Sequence, residues 1–128
     1  SGGMRQRAAL ARTFLAGDDV LLLDEPFGAL DSLTRLQMQS WLMSIWQESA
    51  ASVLFITHDV DEAIRLSDRV YVFSERPARV ALTLEIDLPR PRPYETVLSP
   101  EFLAIKAQAI QYLHSDEMPG TQEAILDA

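Results

Sequence analysis

Two short, unbroken apolar runs constrain the fold of this chain more than any other feature. They are residues 20–23 (VLLL) and residues 53–56 (VLFI), and the first ends at Asp24-Glu25-Pro26, the second at Thr57-His58-Asp59. A continuous apolar run of this length is typical of a strand that is buried on both faces, as in a parallel sheet. The sequence therefore predicts a parallel sheet, with polar side chains at the carboxyl ends of two strands.

The rest of the first half alternates between helical and strand patterns. Strong helix formers predict helices, and β-branched or aromatic residues predict a third strand. In chain order, the expected elements are a helix over residues 4–16 stopped by Gly17, a helix from Asp31 or Ser32 to about residue 49, a helix over 60–66 and a strand over 69–73. This order predicts an α/β fold whose functional groups gather at the carboxyl ends of the strands.

The pattern changes after a predicted turn at residues 75–78. From Val80, apolar and polar residues alternate. Alternation predicts a strand with one solvated face, which pairs antiparallel with its neighbour. Three prolines within residues 88–93 exclude a helix and predict a stiff linker, because proline removes a backbone donor and restricts the preceding residue.

The last part of the chain is predicted to be a helix followed by a tail. Ser99-Pro100-Glu101 combines a capping hydroxyl, a proline in the first turn and an acid near the positive helix end. The helix is expected to reach about residue 113, and the tail 114–128 to be loosely ordered. We therefore predict three parts: residues 1–86, a linker at 87–98, and a C-terminal helix and tail at 99–128.

Composition excludes several classes of protein. No run of about 18 apolar residues is present, and the N-terminus lacks the pattern of a secretory signal. The absence of cysteine excludes disulfides and thiolate metal sites. The net charge of −8 argues against binding along a phosphate backbone, which needs clustered Lys and Arg. Nucleic acid is therefore not an expected partner.

Asp24, Glu25 and His58 are the candidate catalytic and metal-binding residues. A carboxylate pair just past a buried strand suits phosphate chemistry: Asp24 could hold Mg²⁺, and Glu25 could orient or deprotonate an attacking water. His58 could donate a hydrogen bond to a terminal phosphate. Each has a structural alternative, because acids after a strand also serve as solvated loop residues or helix caps.

Ser1-Gly2-Gly3 stands immediately before the first predicted helix. A hydroxyl and bare backbone N–H groups at the positive end of a helix can bind an anion. The same three residues could also be a cloning scar or a flexible linker.

Three segments, taken in order, resemble the ATP-binding subunit of ABC transporters. They are SGGMRQR at residues 1–7, LLLDEPFGALD at 21–31 and ITHD at 56–59. The resemblance implies part of the P-loop NTPase fold of the ABC ATPase type. It identifies the first segment as the signature motif, the second as the Walker B strand followed by the D-loop at 28–31, and the histidine as part of the switch loop.

The resemblance also implies a role for each candidate residue. Asp24 would serve Mg²⁺, Glu25 would be the catalytic base and His58 would contact the γ-phosphate of ATP. Asp31 would take part in communication across a dimer. Ser1, Gly2 and Gly3 would face the ATP that is held by the opposite subunit.

The C-terminal third resembles the importers of nitrate, sulfonates and taurine. The similar segments are residues 68–80, 87–92 and 99–102. This likeness implies a second ATPase subunit bound head to tail, transmembrane permease subunits and, indirectly, a solute-binding protein. It places the protein in the cytoplasm, peripherally on the inner face of the cell membrane.

One expected motif is absent from the sequence. A phosphate site of this type needs a Gly-x-x-x-x-Gly-Lys-Ser/Thr loop, and Lys106 in the late helix is the sole lysine. The sequence starts inside the signature motif, without the usual preceding leucine. We therefore expect the C-terminal half of a subunit, with negligible ATPase activity alone. Apolar strand edges at residues 20–23 and 53–56 would be exposed and favour poor solubility or self-association.

Two alternatives remain open from the sequence. One is a relative in the same superfamily that acts outside transport, for instance in DNA repair or translation. The other is a short regulatory half that pairs with a full-length ATPase subunit without catalysis.

Overall fold

The computed structural model describes residues 2–74, 77–115 and 124–127. These residues form four α-helices, one 3₁₀-helix and five strands. In chain order they are α1 (Gly2–Leu15), β1 (Val20–Asp24), α2 (Ser32–Gln47), β2 (Ser52–Thr57), α3 (Val60–Leu66), β3 (Arg69–Phe73), β4 (Val80–Glu85), the 3₁₀-helix (Tyr94–Leu98), α4 (Pro100–Ser115) and β5 (Ala124–Asp127). The fold is α/β, as predicted. Residues 75 and 76 of the predicted turn lie outside the described residues.

A five-stranded sheet, ordered β1-β2-β5-β3-β4, organises these elements. β1 and β2 are parallel, with Asp24 opposite Ile56. β5 runs antiparallel to both β2 and β3, so β1, β2 and β3 all point the same way. β4 pairs antiparallel with β3, as its alternating pattern predicted. The sheet is therefore mixed, and the carboxyl ends of its first three strands share one edge.

β5 corrects the prediction of a loosely ordered tail. The helix α4 continues to Ser115, and residues 124–127 are a strand between β2 and β3, while 116–123 and 128 lie outside the described residues. The facing edges of β2 and β3 both present N–H and C=O groups that need partners, and β5 pairs with both. The expected exposure of the β2 edge was therefore wrong.

One face of the sheet carries the core. Buried side chains alternate along the strands and meet buried side chains of α2, α3 and α4. The strands contribute Leu21, Val53, Phe55, Val70 and Val72, and the helices contribute Met38, Leu42, Ile64, Phe102 and Ala109.

The opposite face of β1 is open in the part of the chain that the structure describes. Val20 is 60% exposed and Leu22 is 71% exposed, whereas Leu21 between them is buried. The prediction of a strand buried on both faces was therefore wrong for the described residues. The apolar run indicates a strand that needs burial on both faces. The described residues bury one face of β1 and leave the other exposed.

The proline-rich segment is fixed to α3 by Arg92. This side chain is 3% exposed and donates hydrogen bonds to the carbonyl groups of Ile64, Arg65, Ser67, Ile86 and Leu88. Burial, with a smaller contribution from Arg90, lowers the pKa of Arg92 to about 10. The segment leads to α4, where Ser99 Oγ accepts the Phe102 N–H at 3.1 Å, the cap that the sequence predicted.

Candidate functional site

The carboxyl ends of β1 and β2 bring Glu25 and His58 into contact. His58 Nε2 lies 3.1 Å from Glu25 Oε1, an ion-pair distance, and this oxygen is buried without a hydrogen-bond partner among the described residues. The backbone fixes this approach, because the Glu25 N–H donates to Ile56 O at 2.9 Å. The Glu25 side chain is 37% exposed and the His58 side chain is 48% exposed, so both side chains are accessible from solvent.

Glu25 has an unusual backbone conformation. Its φ of +48° lies in the left-handed region, which residues other than glycine seldom adopt. Strain of this kind costs about 1–3 kcal/mol and is concentrated at functional sites. The turn redirects the chain as it leaves β1 and is closed by the Gly28 N–H, which donates to Glu25 O at 3.1 Å.

Gly28 leaves room for the Glu25 carboxylate. A Cβ at this position would lie 3.1 Å from Glu25 Oε2, tighter than an ordinary contact. A side chain here would therefore compete with Glu25 for space. This requirement explains a glycine on the loop after β1 without any unusual backbone angle at Gly28.

Asp24 lies at the end of β1 with an exposed side chain. Within residues 2–74, 77–115 and 124–127, its carboxylate makes no hydrogen bond or ion pair, so it is available to a ligand. No group of three or more His, Cys, Asp or Glu side chains suited to a metal occurs among the residues described. A single exposed carboxylate of this kind can hold a Mg²⁺ ion whose other ligands are water and phosphate.

Asp31 is the N-cap of α2. Thr34 donates its backbone N–H to Asp31 Oδ1 at 2.8 Å and its hydroxyl to Oδ2 at 3.0 Å. These two hydrogen bonds, the backbone one first, lower the pKa of Asp31. The structure thus gives Asp31 a structural role, and its predicted role across a dimer stays a prediction.

Gly3, at the start of α1, lines a different cleft from Glu25 and His58. Ser1 lies outside the described residues, and Gly2 begins α1. A Cβ on Gly3 would lie 3.1 Å from Thr34 Cγ2, so α1 and α2 approach closely here. Gly3 and Asp31 both line an open cleft of about 460 Å³.

A second cleft, of about 390 Å³, surrounds the contact between Glu25 and His58. The described parts of the two clefts share no lining residue. The second cleft is lined by Glu25, Gly28, Arg35, Thr57, His58, Asp59 and Glu62. Sequence reasoning missed Arg35, Asp59 and Glu62.

Asp59 and Glu62 had a recognisable signal in the sequence. An acid followed three residues later by glutamate is an N-terminal helix pattern, and Asp59 Oδ1 accepts the Glu62 N–H at 3.1 Å. Glu62 is 3% exposed, and burial raises its pKa to about 7 although Gln39 donates a hydrogen bond to it. Arg35 had no comparable signal, because its contacts are made across the fold.

The ABC transporter family model matches residues 1–28, a span that contains Gly2, Gly3, Asp24, Glu25 and Gly28. A Brucella melitensis protein named for ATP binding is 53% identical over 106 residues, 83% of this chain and 45% of that protein. A taurine import ATP-binding protein of Rhizobium johnstonii is 48% identical over 123 residues, 91% of this chain and 47% of that protein. A nitrate import ATP-binding protein of Synechococcus elongatus is 45% identical over 116 residues, 89% of this chain and 42% of that protein.

This chain belongs to the ABC transporter family of ATP-binding proteins. It spans less than half the length of these curated relatives, between 42% and 47%. Among the residues described, no helix has the length and apolar character needed to cross a membrane. The match of the ABC transporter family covers Asp24 and Glu25 and ends before His58, which the structure adds to the same site.

Proposed function

We propose that this chain is the part of an importer's ATP-binding subunit that activates water for ATP hydrolysis. The observation that carries the proposal is the 3.1 Å contact between Glu25 and His58 at the end of two parallel strands, one residue beyond the available carboxylate of Asp24. A general base must lie within hydrogen-bond reach of the proton it accepts, and the cleft around Glu25 is open to water.

In the proposed reaction, water attacks the γ-phosphorus of ATP while the bond to the β,γ-bridging oxygen breaks. Glu25 accepts a proton from the attacking water, and ADP leaves with the bridging oxygen. His58 orients the Glu25 carboxylate before ATP binds and donates a hydrogen bond to the terminal phosphate oxygens afterwards. Mg²⁺ bound with ATP would neutralise phosphate charge, and Asp24 is the residue that would hold it.

The phosphate-binding loop is proposed to lie outside this sequence. No Gly-x-x-x-x-Gly-Lys-Ser/Thr segment occurs in the 128 residues, so the chain alone is expected to have negligible ATPase activity. Ser1, Gly2, Gly3 and Asp31 are proposed to face a second ATPase subunit bound head to tail. Closure of that dimer around ATP would drive the permease subunits between two states, at the inner face of the membrane.

The proposed solute is a small oxyanion, either nitrate or a sulfonate such as taurine. Support comes from the names of relatives that are 45% and 48% identical to this chain. The same names favour transport over DNA repair or translation.

The test is the ATPase activity of the complete open reading frame that contains this sequence, with Glu25→Gln as the decisive variant. Glutamine keeps the shape of the side chain but cannot accept a proton, so turnover should fall at least about 100-fold. Glu48→Gln is the matched control, because Glu48 is exposed at the end of α2, and it should retain activity. Undiminished turnover in the Glu25→Gln protein would refute the proposal.

A further inference from the structure

Arg35 on α2 spans the two walls of the cleft that contains Glu25 and His58. Its Nη1 atom lies 3.5 Å from Asp59 Oδ2, and its Nη2 atom donates to Gly28 O at 3.4 Å. One guanidinium group therefore contacts the loop after β1 and the residue that follows His58. The same two segments also meet at the contact between Glu25 and His58.

Each residue that Arg35 contacts adjoins either Glu25 or His58. Gly28 donates its N–H to Glu25 O and adjoins the Glu25 carboxylate. Asp59 directly follows His58, its N–H donates to Thr57 Oγ1 at 3.0 Å, and its carboxylate caps α3. A shift of either contact would therefore move Glu25 or His58.

Arg35 also offsets the charge of the cleft. Three carboxyl groups line it, on Glu25, Asp59 and Glu62, together with the imidazole of His58. Among the described lining residues, Arg35 is the single side chain that is always cationic. The planar guanidinium presents donors in two fixed directions, a geometry that a lysine ammonium group does not reproduce.

We propose that Arg35 is a positioning residue whose contacts with Gly28 and Asp59 hold Glu25 against His58. Its effect on catalysis rests on the proposed function, whereas its effect on the contact between Glu25 and His58 is a property of this chain alone. The two effects can be measured separately.

The first experiment records the imidazole signals of the chain by ¹⁵N-edited NMR. The sequence has two histidines, so His114 provides an internal reference for His58. Glu25→Gln removes the charge next to His58 and defines the shift that loss of the contact produces. Arg35→Gln and Asp59→Asn should both move the His58 signals in that direction, and Arg35→Lys should move them less.

The control is Arg69→Gln, which breaks the exposed ion pair between Arg69 and Glu85, 2.7 Å apart on β3 and β4. It should leave the His58 signals in place. Asp59→Asn keeps a capping oxygen for α3, so it reports on the charge even where Arg35→Gln unfolds the chain. Unchanged His58 signals in the Asp59→Asn protein would overturn the proposal, and so would a Glu25→Gln protein whose His58 signals match the wild type.

The second experiment measures ATPase kinetics of the complete reading frame. Arg35→Gln should lower kcat by about tenfold, because a small displacement of a catalytic group is costly, and should change KM for ATP less than twofold. The Arg35→Gln/Asp59→Asn double variant should lose no more activity than Arg35→Gln, because the two residues act through one contact. If the activity losses of Arg35→Gln and Asp59→Asn added up fully in the double variant, the two residues would not act through one contact. Failure of Glu25→Gln to affect turnover would instead refute the proposed function and leave the NMR result standing.

Discussion

At the scale of single residues, Glu25 is held by its neighbours in a conformation that it would not adopt alone. Its φ is +48°, its N–H is bound by Ile56 of the adjacent strand, and its carbonyl is bound by Gly28. The pairing of β1 with β2 therefore compensates the strain of the turn. In this backbone conformation, the Glu25 carboxylate points towards His58 at the open edge of the sheet.

Two glycines provide a matched pair of predictions about this residue. Gly28→Ala would place a methyl group 3.1 Å from Glu25 Oε2 and displace the carboxylate from His58. We expect kcat of the complete protein to fall about tenfold, with a change below about 1 kcal/mol in the free energy of unfolding.

Gly17→Ala should instead lower stability and leave activity unchanged. Gly17 has a φ of +78° and open space around it, so alanine there is strained but contacts nothing. The free energy of unfolding should fall by about 1 kcal/mol, and the activity of the folded protein should be unchanged. Urea unfolding and ATPase assays check both variants. A Gly28→Ala protein with full activity would show that Glu25 does not need the space.

At the scale of elements, the sequence predicted those segments whose ends carry local signals. α3 and β3 occupy residues 60–66 and 69–73, as predicted, because Asp59 caps the helix and the next strand is β-branched and aromatic. β5 could not be predicted in this way, because its pairing joins residues that are distant in the chain. Arg35 was missed for the same reason. Glu25 and His58, in contrast, follow apolar runs whose ends can be recognised in the sequence.

The buried Glu62 of α3 gives the fold a dependence on pH. Its pKa is about 7 in the folded chain against an ordinary 4.5, chiefly because burial penalises the charged form. The folded state therefore binds more protons than the unfolded state between these values, so this residue's contribution to stability is complete below pH 4.5 and is lost as the pH rises through 7.

Glu62→Gln should remove that dependence. Glutamine keeps an oxygen that can accept from Gln39 and has no charge to bury. Between pH 5 and pH 8, the wild type should lose up to about 3 kcal/mol of unfolding free energy relative to the Glu62→Gln protein. Urea unfolding at several pH values measures the difference, with Glu48→Gln as the exposed control. Parallel pH curves for the wild type and Glu62→Gln would mean that Glu62 is ionised throughout.

At the scale of the whole molecule, the sheet is covered unequally in the described part of the chain. The helices α2, α3 and α4 contribute buried side chains to the core on one face, whereas Val20 and Leu22 are exposed on the other. Among the described strands, β1 is also an end strand of the sheet, so the backbone groups on its outer edge have no strand partner there. An apolar face next to an open edge favours association between copies.

The expected result is self-association of the 128-residue chain that depends on this face. Leu22→Thr introduces a β-branched residue, which suits a strand, and removes apolar surface, so it should raise the concentration at which oligomers appear in analytical ultracentrifugation. Leu98→Thr is the matched control, because Leu98 is 70% exposed on the 3₁₀-helix, and it should leave association unchanged.

The same substitution should have the opposite effect in the complete reading frame, where we propose that the remaining sequence covers the open face of β1. Burying Leu22 there would make its replacement costly, and Leu22→Thr should lower the free energy of unfolding by about 2 kcal/mol. Leu98→Thr should lower it by much less. Leu22→Thr would thus reduce self-association of the 128-residue chain and lower the stability of the complete protein. If it left the stability of the complete protein unchanged, the face would be open in both, and its apolar residues would need a separate partner.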